Sequence, residues 1–386
     1  MNFSCLLTSL LICPLLAAAP LRYQGEAGPG EGKHIVFIAN DHEYRSEETC
    51  PALARILAKH HGFTCTVLFG EDESGHIKAG SDNLPYLEEL KDADLLVFFT
   101  RFMNLPDEDV QHLVDYYESG KPTIGIRTST HAFNKQEGKW SKLNFDYEGE
   151  DYLGGLGEQI YGNTWHESRG QDHYGPNHAQ GCYIFPAKDQ STHPIWRGVR
   201  NMHAFTGAYR SRLPVGATSV ADLKVLNTFH PSVDFDQDKD VVTAAWTRPF
   251  YYAPSGKKKE ARMLYSTFGG SEDLLDENLR RFLINSSFWA LGMEEAIQGD
   301  LNVSFIGSFD PSPNMTGAFY REGVKPLDLL DYTTGVMPEE AAFGGLENPT
   351  NQIQYFADQV LSARPLLVER LEKTVEGFDR DDYTTK

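Results

Sequence analysis

The stretch GIRTSTHAF, Gly125 to Phe133, gathers residues able to do chemistry. An apolar run, Pro122 to Ile126, breaks into Arg127, Thr128, Ser129, Thr130 and His131. A cation, hydroxyls and an imidazole at the end of a buried strand suit hydrogen bonding to a polar ligand and proton transfer. No cysteine stands in this turn, so it offers no thiol nucleophile. A second polar turn, Asn40 to Arg45, follows another apolar run and adds the Glu43 carboxylate and the Tyr44 phenol. In this reading His131 is a general acid/base, Arg127 holds an oxyanion or carboxylate and Glu43 is a second carboxylate. Ser129 and Tyr44 join them as ligand-binding groups. The alternative is that strand-end polar groups only cap the next helix.

A further constellation lies in NTWHESRGQDHYGPNHAQG, Asn163 to Gly181. Trp165, His166, His173 and His178 fall within a loop too long for a simple turn, and such loops commonly carry function. Trp165 could stack on an apolar sugar face. The histidines could line a substrate or hold a divalent metal, although their spacing matches no standard metalloenzyme pattern. No cofactor is otherwise expected.

Elements that could position these groups follow from the pattern. A strand over Ile35 to Ala39 leads to a helix opened by Ser46 and ended by Gly62. FTCTVLF is a second strand and Leu95 to Phe99 a third. Pro106 opens a helix with Val110, Leu113, Val114 and Tyr117 on one face, and Thr123 to Ile126 is the fourth strand. Apolar strands alternating with amphipathic helices predict a doubly wound α/β fold with a mostly parallel sheet. Ligands then sit beyond the carboxyl ends of the strands. Asn40 to Arg45, Thr100 to Asn104 and Arg127 to His131 converge there, with Ser266 to Asp273 as a fourth contributor. Later strands are GCYIFPA, DVVTAAWT and ARMLYSTFG, and the helix over SEDLLDENLRRFLINSSFWALGM closes the domain.

The domain is expected over 33–296, after a Gly-rich linker over 20–32. An irregular extension with two short helices, Asn351 to Leu361 and Leu366 to Val375, follows over 297–386. Residues 1–19 read as a signal peptide: their apolar stretch is too short for a membrane span and ends in small residues, so the chain is expected to be exported, the alternative being an uncleaved N-terminal anchor. No stable span is then expected. The net charge of −20 argues against nucleic-acid partners. Cys50, Cys65 and Cys182 are widely spaced and form neither a disulfide framework nor a zinc site.

Several ordered motifs together resemble one family. EYRSEETCPALARIL, ADLLVFFTRF, LPDEDVQHLVDYYESGKPTIGIRTSTHAF, HPIWRGV and RRFLINSSFWALGM are similar to ThuA-like proteins of the trehalose-utilisation type. The long form SGKPTIGIRTSTHAF resembles exported members from planctomycete-type bacteria. The resemblance spans roughly 33–296 and implies a flavodoxin-like fold related to class I glutamine amidotransferases. In those enzymes the elbow after the fourth strand carries a nucleophilic cysteine. The matching position here is about Arg127, so glutamine hydrolysis is not expected. The resemblance implies a small-molecule sugar substrate, a disaccharide or keto-glycoside, with hydrolysis or isomerisation as the reaction. Its alternative is a non-catalytic carbohydrate-binding or scaffold protein on the same fold.

Overall fold

The computed structural model describes residues 19–166, 170–174, 180–228 and 233–345. The leader over 1–18, His178 and both helices expected after residue 350 lie outside the described residues. The first half alternates β2 (His34–Asn40), α1 (Ser46–His61), β3 (Thr64–Phe69), β4 (Leu95–Thr100), α2 (Asp107–Glu118) and β5 (Thr123–Ile126). Before it comes β1 (Leu21–Tyr23), a strand where a linker was expected; it pairs antiparallel with β3. Gly62 ends α1 in the left-handed conformation, φ 80°. The start of α1 differs from expectation, because Arg45 takes the cap position at φ 60° without a side-chain cap bond. Ser46 instead receives the Asp41 amide on its hydroxyl.

The second half is built differently. A small ribbon pairs β6 (Gln171–His173) with β9 (Tyr209–Ser211). The main sheet gains β7 (Cys182–Pro186), β8 (Met202–Ala204), β10 (Thr218–Val225), β11 (Val242–Arg248) and β14 (Met263–Ser266). A hairpin joins β12 (Tyr251–Tyr252) to β13 (Lys258–Lys259), and α3 (Glu277–Ala290) closes the series.

The main sheet has ten strands in the order β1-β3-β2-β4-β5-β14-β11-β10-β7-β8. Strands β3, β2, β4, β5 and β14 run parallel. The pairings beyond them are antiparallel. The sheet is therefore mixed, where a mostly parallel one was expected. Antiparallel neighbours need no crossover helix, and the later chain supplies few.

Both faces of the parallel half are covered, as the strand period requires. Ile35, Phe37, Val97 and Phe99 pack with Leu53, Leu57, Phe282 and Leu283 of α1 and α3. Val36, Ile38, Leu96 and Phe98 pack with Val110, Leu113 and Tyr117 of α2.

No break in packing marks residue 296. Arg55 donates to the carbonyls of Ile306, Leu329, Asp331 and Thr334, and Glu48 accepts from the Ser312 amide and hydroxyl. The 297–345 segment thus lies across α1. Among the described residues no helix is long and apolar enough to cross a membrane.

Candidate functional site

The turn after β5 is a strained elbow. Arg127 sits at φ 44°, a left-handed conformation uncommon for a side chain with a Cβ. Its stability comes from the bonds that hold it. Ser129 Oγ lies 2.5 Å from the Phe98 carbonyl and 2.8 Å from the Ile126 carbonyl, which share its one proton, and it accepts from the Ile126 amide. The tight approach of the next segment matters equally: a Cβ on Gly157 would lie 2.0 Å from the Thr130 carbonyl oxygen.

Arg127 itself is fully buried. Its guanidinium lies 3.7 Å above the Tyr44 ring centroid and 4.6 Å from that of Tyr209. It donates to Thr206 Oγ1 and to the carbonyls of Thr206, Gly207 and Thr267. The Thr206 hydroxyl passes this polarity on by donating to Asp273 at 2.6 Å. Arg127, Tyr44 and Ser129, expected to meet a ligand, are thus spent on the framework of the elbow. The glycine turn after β14 is spent similarly. Its Gly269 and Gly270 amides both donate to the Asp273 carboxylate, which leaves neither for an outside anion.

His131 ends the elbow turn at 2% exposure. Aromatic rings surround it: Trp165 at 4.9 Å, Phe102 at 5.2 Å and Phe145 at 6.5 Å between centroids. Burial, reinforced by the nearby Arg101 charge, holds the imidazole well below its usual pKa, so it is neutral at physiological pH. His173, exposed on the β6–β9 ribbon, stands 4.8 Å from the Trp165 ring edge-on. Trp165 also meets Tyr209 at 5.0 Å. His166 follows Trp165, half-buried, with its amide donating to the Thr164 carbonyl.

A charged group flanks these rings. Arg101, just past β4, places Nη2 3.2 Å from Glu43 Oε2 and donates from Nη1 to His42 Nε2 at 2.9 Å. An arginine can only donate, so His42 Nε2 is the accepting nitrogen and its ring is neutral. Burial lowers the His42 pKa in the same direction. The Arg101 guanidinium also covers the Phe102 ring at 4.4 Å. Asp41 positions the turn beneath: it accepts from the amides of Glu43 and Tyr44 and from Thr128 Oγ1 at 2.7 Å. On the outer side, the Met315 and Gly317 amides donate to the carbonyls of Glu43 and His42.

The structure therefore places Glu43, His131, Trp165 and His173 at the carboxyl edge of the parallel strands, with Arg127, Tyr44 and Ser129 packed beneath. His42, Arg101, Phe102, Phe145 and Tyr209 join them without having been named from the sequence. The Thr100 to Asn104 segment had signalled this edge, but nothing distinguished Arg101 from an ordinary surface arginine. Tyr209 carried no signal. Among the described residues no group of three His, Cys, Asp or Glu side chains is placed to hold a metal ion. Cys50, Cys65 and Cys182 are buried and unbridged.

A neutral imidazole beside an Arg–Glu pair can accept a hydroxyl proton while the guanidinium and carboxylate orient the rest of a polar ligand. The adjoining rings suit the apolar face of a sugar.

No family model matches the sequence, and no curated protein does. Among solved structures, a ThuA-like protein from Parabacteroides merdae is similar at TM-score 0.40 and 14% identity, covering 67% of this chain and 89% of that one. The Trypanosoma brucei CTPS glutaminase domain with bound acivicin is similar at TM-score 0.32 and 11% identity, covering 67% and 93%. At such low scores these likenesses carry no weight in the functional reading.

Proposed function

We propose that the chain binds a small sugar or keto-sugar at the carboxyl edge of β2, β4 and β5, and acts on it by acid–base chemistry. The observation that carries this reading is the neutral, buried His131, ringed by Trp165, Phe102 and Phe145 and close to the Arg101 charge. Trp165 offers an apolar surface, His131 accepts a hydroxyl proton, and Glu43 with Arg101 forms a charged wall. Hydrolysis of a keto-glycoside or isomerisation of a keto-sugar fits this donor set, and neither needs a cysteine. Export to the periplasm or beyond, inferred from the leader, suits a substrate met outside the cytoplasm.

A second reading, binding without turnover, is favoured by one observation. The described residues place no carboxylate in hydrogen-bond contact with the His131 ring, whose Nδ1 instead meets Thr130 Oγ1. A thermal-shift screen against disaccharides, keto-sugars and divalent metals, followed by product analysis of any stabilising sugar, tests both. Stabilisation with turnover supports the enzyme, and stabilisation without turnover supports the binding protein. No stabilisation by any sugar, or stabilisation unaffected by His131→Asn, refutes the site.

A further inference from the structure

We propose that Gln171 and Thr130 fix the ring tautomer of His131, placing its proton on Nδ1 and leaving Nε2 as a bare acceptor. The inference deepens the reading of His131 as the acid–base group of the site and rests on it for its functional meaning.

Thr130 Oγ1 lies 2.6 Å from Gln171 Oε1 and 3.3 Å from His131 Nδ1. The shorter separation is typical of O–H···O and too short for a comfortable N–H···O bond. The oxygen end of the Gln171 amide therefore faces Thr130, and the hydroxyl donates to it. The nitrogen end agrees: Gln171 Nε2 lies 2.9 Å from Ser211 Oγ and 3.0 Å from Tyr265 Oη. Tyr265 Oη also lies 3.2 Å from Gln171 Oε1, but its proton goes to the closer Arg127 carbonyl, so it accepts from the amide nitrogen.

A threonine hydroxyl has one proton, and Gln171 takes it. Thr130 can then meet Nδ1 only as an acceptor, so Nδ1 carries a hydrogen. A neutral imidazole has one N–H, which leaves Nε2 with a lone pair. Among the described residues Nε2 has no hydrogen-bond partner. Gln171 is held in place by β6–β9 pairing and is 1% exposed, so the device is rigid. It is a positioning residue, acting through Thr130 on the ring.

The arrangement has a consequence for the ligand. A bare nitrogen accepts from a hydroxyl and disfavours a carboxylate or carbonyl oxygen, neither of which can donate. The group placed against His131 is therefore a ligand hydroxyl.

Nitrogen-15 NMR of the full chain, labelled at histidine and assigned with His131→Asn, tests the assignment. The expected spectrum shows a protonated Nδ1 and an unprotonated Nε2 for His131. Thr130→Ser keeps this signature, whereas Thr130→Val and Gln171→Leu shift both signals toward a tautomer average. A wild-type proton on Nε2, or signals unmoved in both disruptive variants, overturns the proposal. If a disruptive variant fails to fold, the wild-type and Thr130→Ser spectra still decide. An Nδ1–H ring in a chain that no sugar stabilises would refute the ligand reading and uphold the tautomer.

Discussion

Arg127 and Arg101 stand at the same edge of the sheet, and the chain uses them in opposite ways. Arg127 is fully buried, clasped between Tyr44 and Tyr209, and its Nη donors go to Thr206 and to backbone carbonyls. Arg101 keeps 16% of its side chain exposed and divides its donors between Glu43 and His42. One cation holds three segments together, and the other polarises a pair of titratable side chains. The sequence motif drew attention to Arg127, but what a guanidinium holds decides its role, and by that measure Arg127 belongs to the framework and Arg101 is the cation of the proposed site.

Stability separates the two most sharply. Arg127→Met leaves the carbonyls of Thr206, Gly207 and Thr267 buried without their donor, and is expected to cost about 3–5 kcal/mol. Arg101→Met unpairs Glu43 at a less deeply buried position and should cost less, about 1–3 kcal/mol. Urea unfolding midpoints of the two variants give the comparison directly. Equal losses would erase the distinction.

Two histidines extend the contrast to pH. His61, the last residue of α1, bonds to the Asn302 carbonyl, and burial lowers its pKa to about 4. A group buried neutral has a folded pKa below its unfolded one, so the unfolded chain takes up more protons as pH falls. Stability from His61 is therefore present above about pH 6.5 and is lost toward pH 4. His131 is lowered in the same direction. His61→Gln, which can still donate to Asn302, should reduce the loss of stability between pH 7 and pH 4 by about 3 kcal/mol. Denaturant melts at the two pH values measure it, and an unchanged loss would mean that His61 is not held neutral.

The parallel half was legible for a physical reason. Strands buried on both faces read as unbroken apolar runs, and helices between them carry a 3.6-residue stripe. β5 appeared with the bounds it has in the structure, Thr123–Ile126. The antiparallel half was less legible, because β10 alternates buried and half-buried positions irregularly, through a shifted register near Ala221. β1 escaped notice because three residues carry no period. At the site, residue type alone marked His131, Glu43 and Trp165. His42 and Arg101 gain meaning only by meeting across 59 positions, and Thr130 and Gln171 across 41. Such pairings exist only once the chain has folded.

The strap formed by 297–345 lies between framework and site. Glu48 receives both the amide and the hydroxyl of Ser312, while Met315 and Gly317 hold the His42–Glu43 turn from outside. Glu48→Gln keeps one acceptor and loses the charge, so it should cost about 1–2 kcal/mol. Because the strap packs on α1, fluorescence and circular dichroism should still report one coincident unfolding transition. Two separated transitions would make the segment an independent unit and remove it from the site.

The smallest expected change in stability tests the outermost residue. His173 is exposed and makes ring contacts to Trp165 at 4.8 Å and Tyr209 at 5.8 Å. Its replacement by alanine exposes little new apolar surface and leaves the backbone pairing of β6 with β9 in place. Surface substitutions of this kind stay within about 0.5 kcal/mol. Yet His173 braces the edge of Trp165, which also meets the rings of His131 and Tyr209, so its loss loosens the tryptophan ring at the edge of the proposed site. His173→Ala should therefore keep the unliganded melting temperature and lose most of the sugar-induced stabilisation. Arg127→Met makes the opposite trade, lowering the unliganded melting temperature most. A His173→Ala protein that melts many degrees lower, yet still responds fully to sugar, would move His173 to the framework and leave Arg101 and His131 to carry the site.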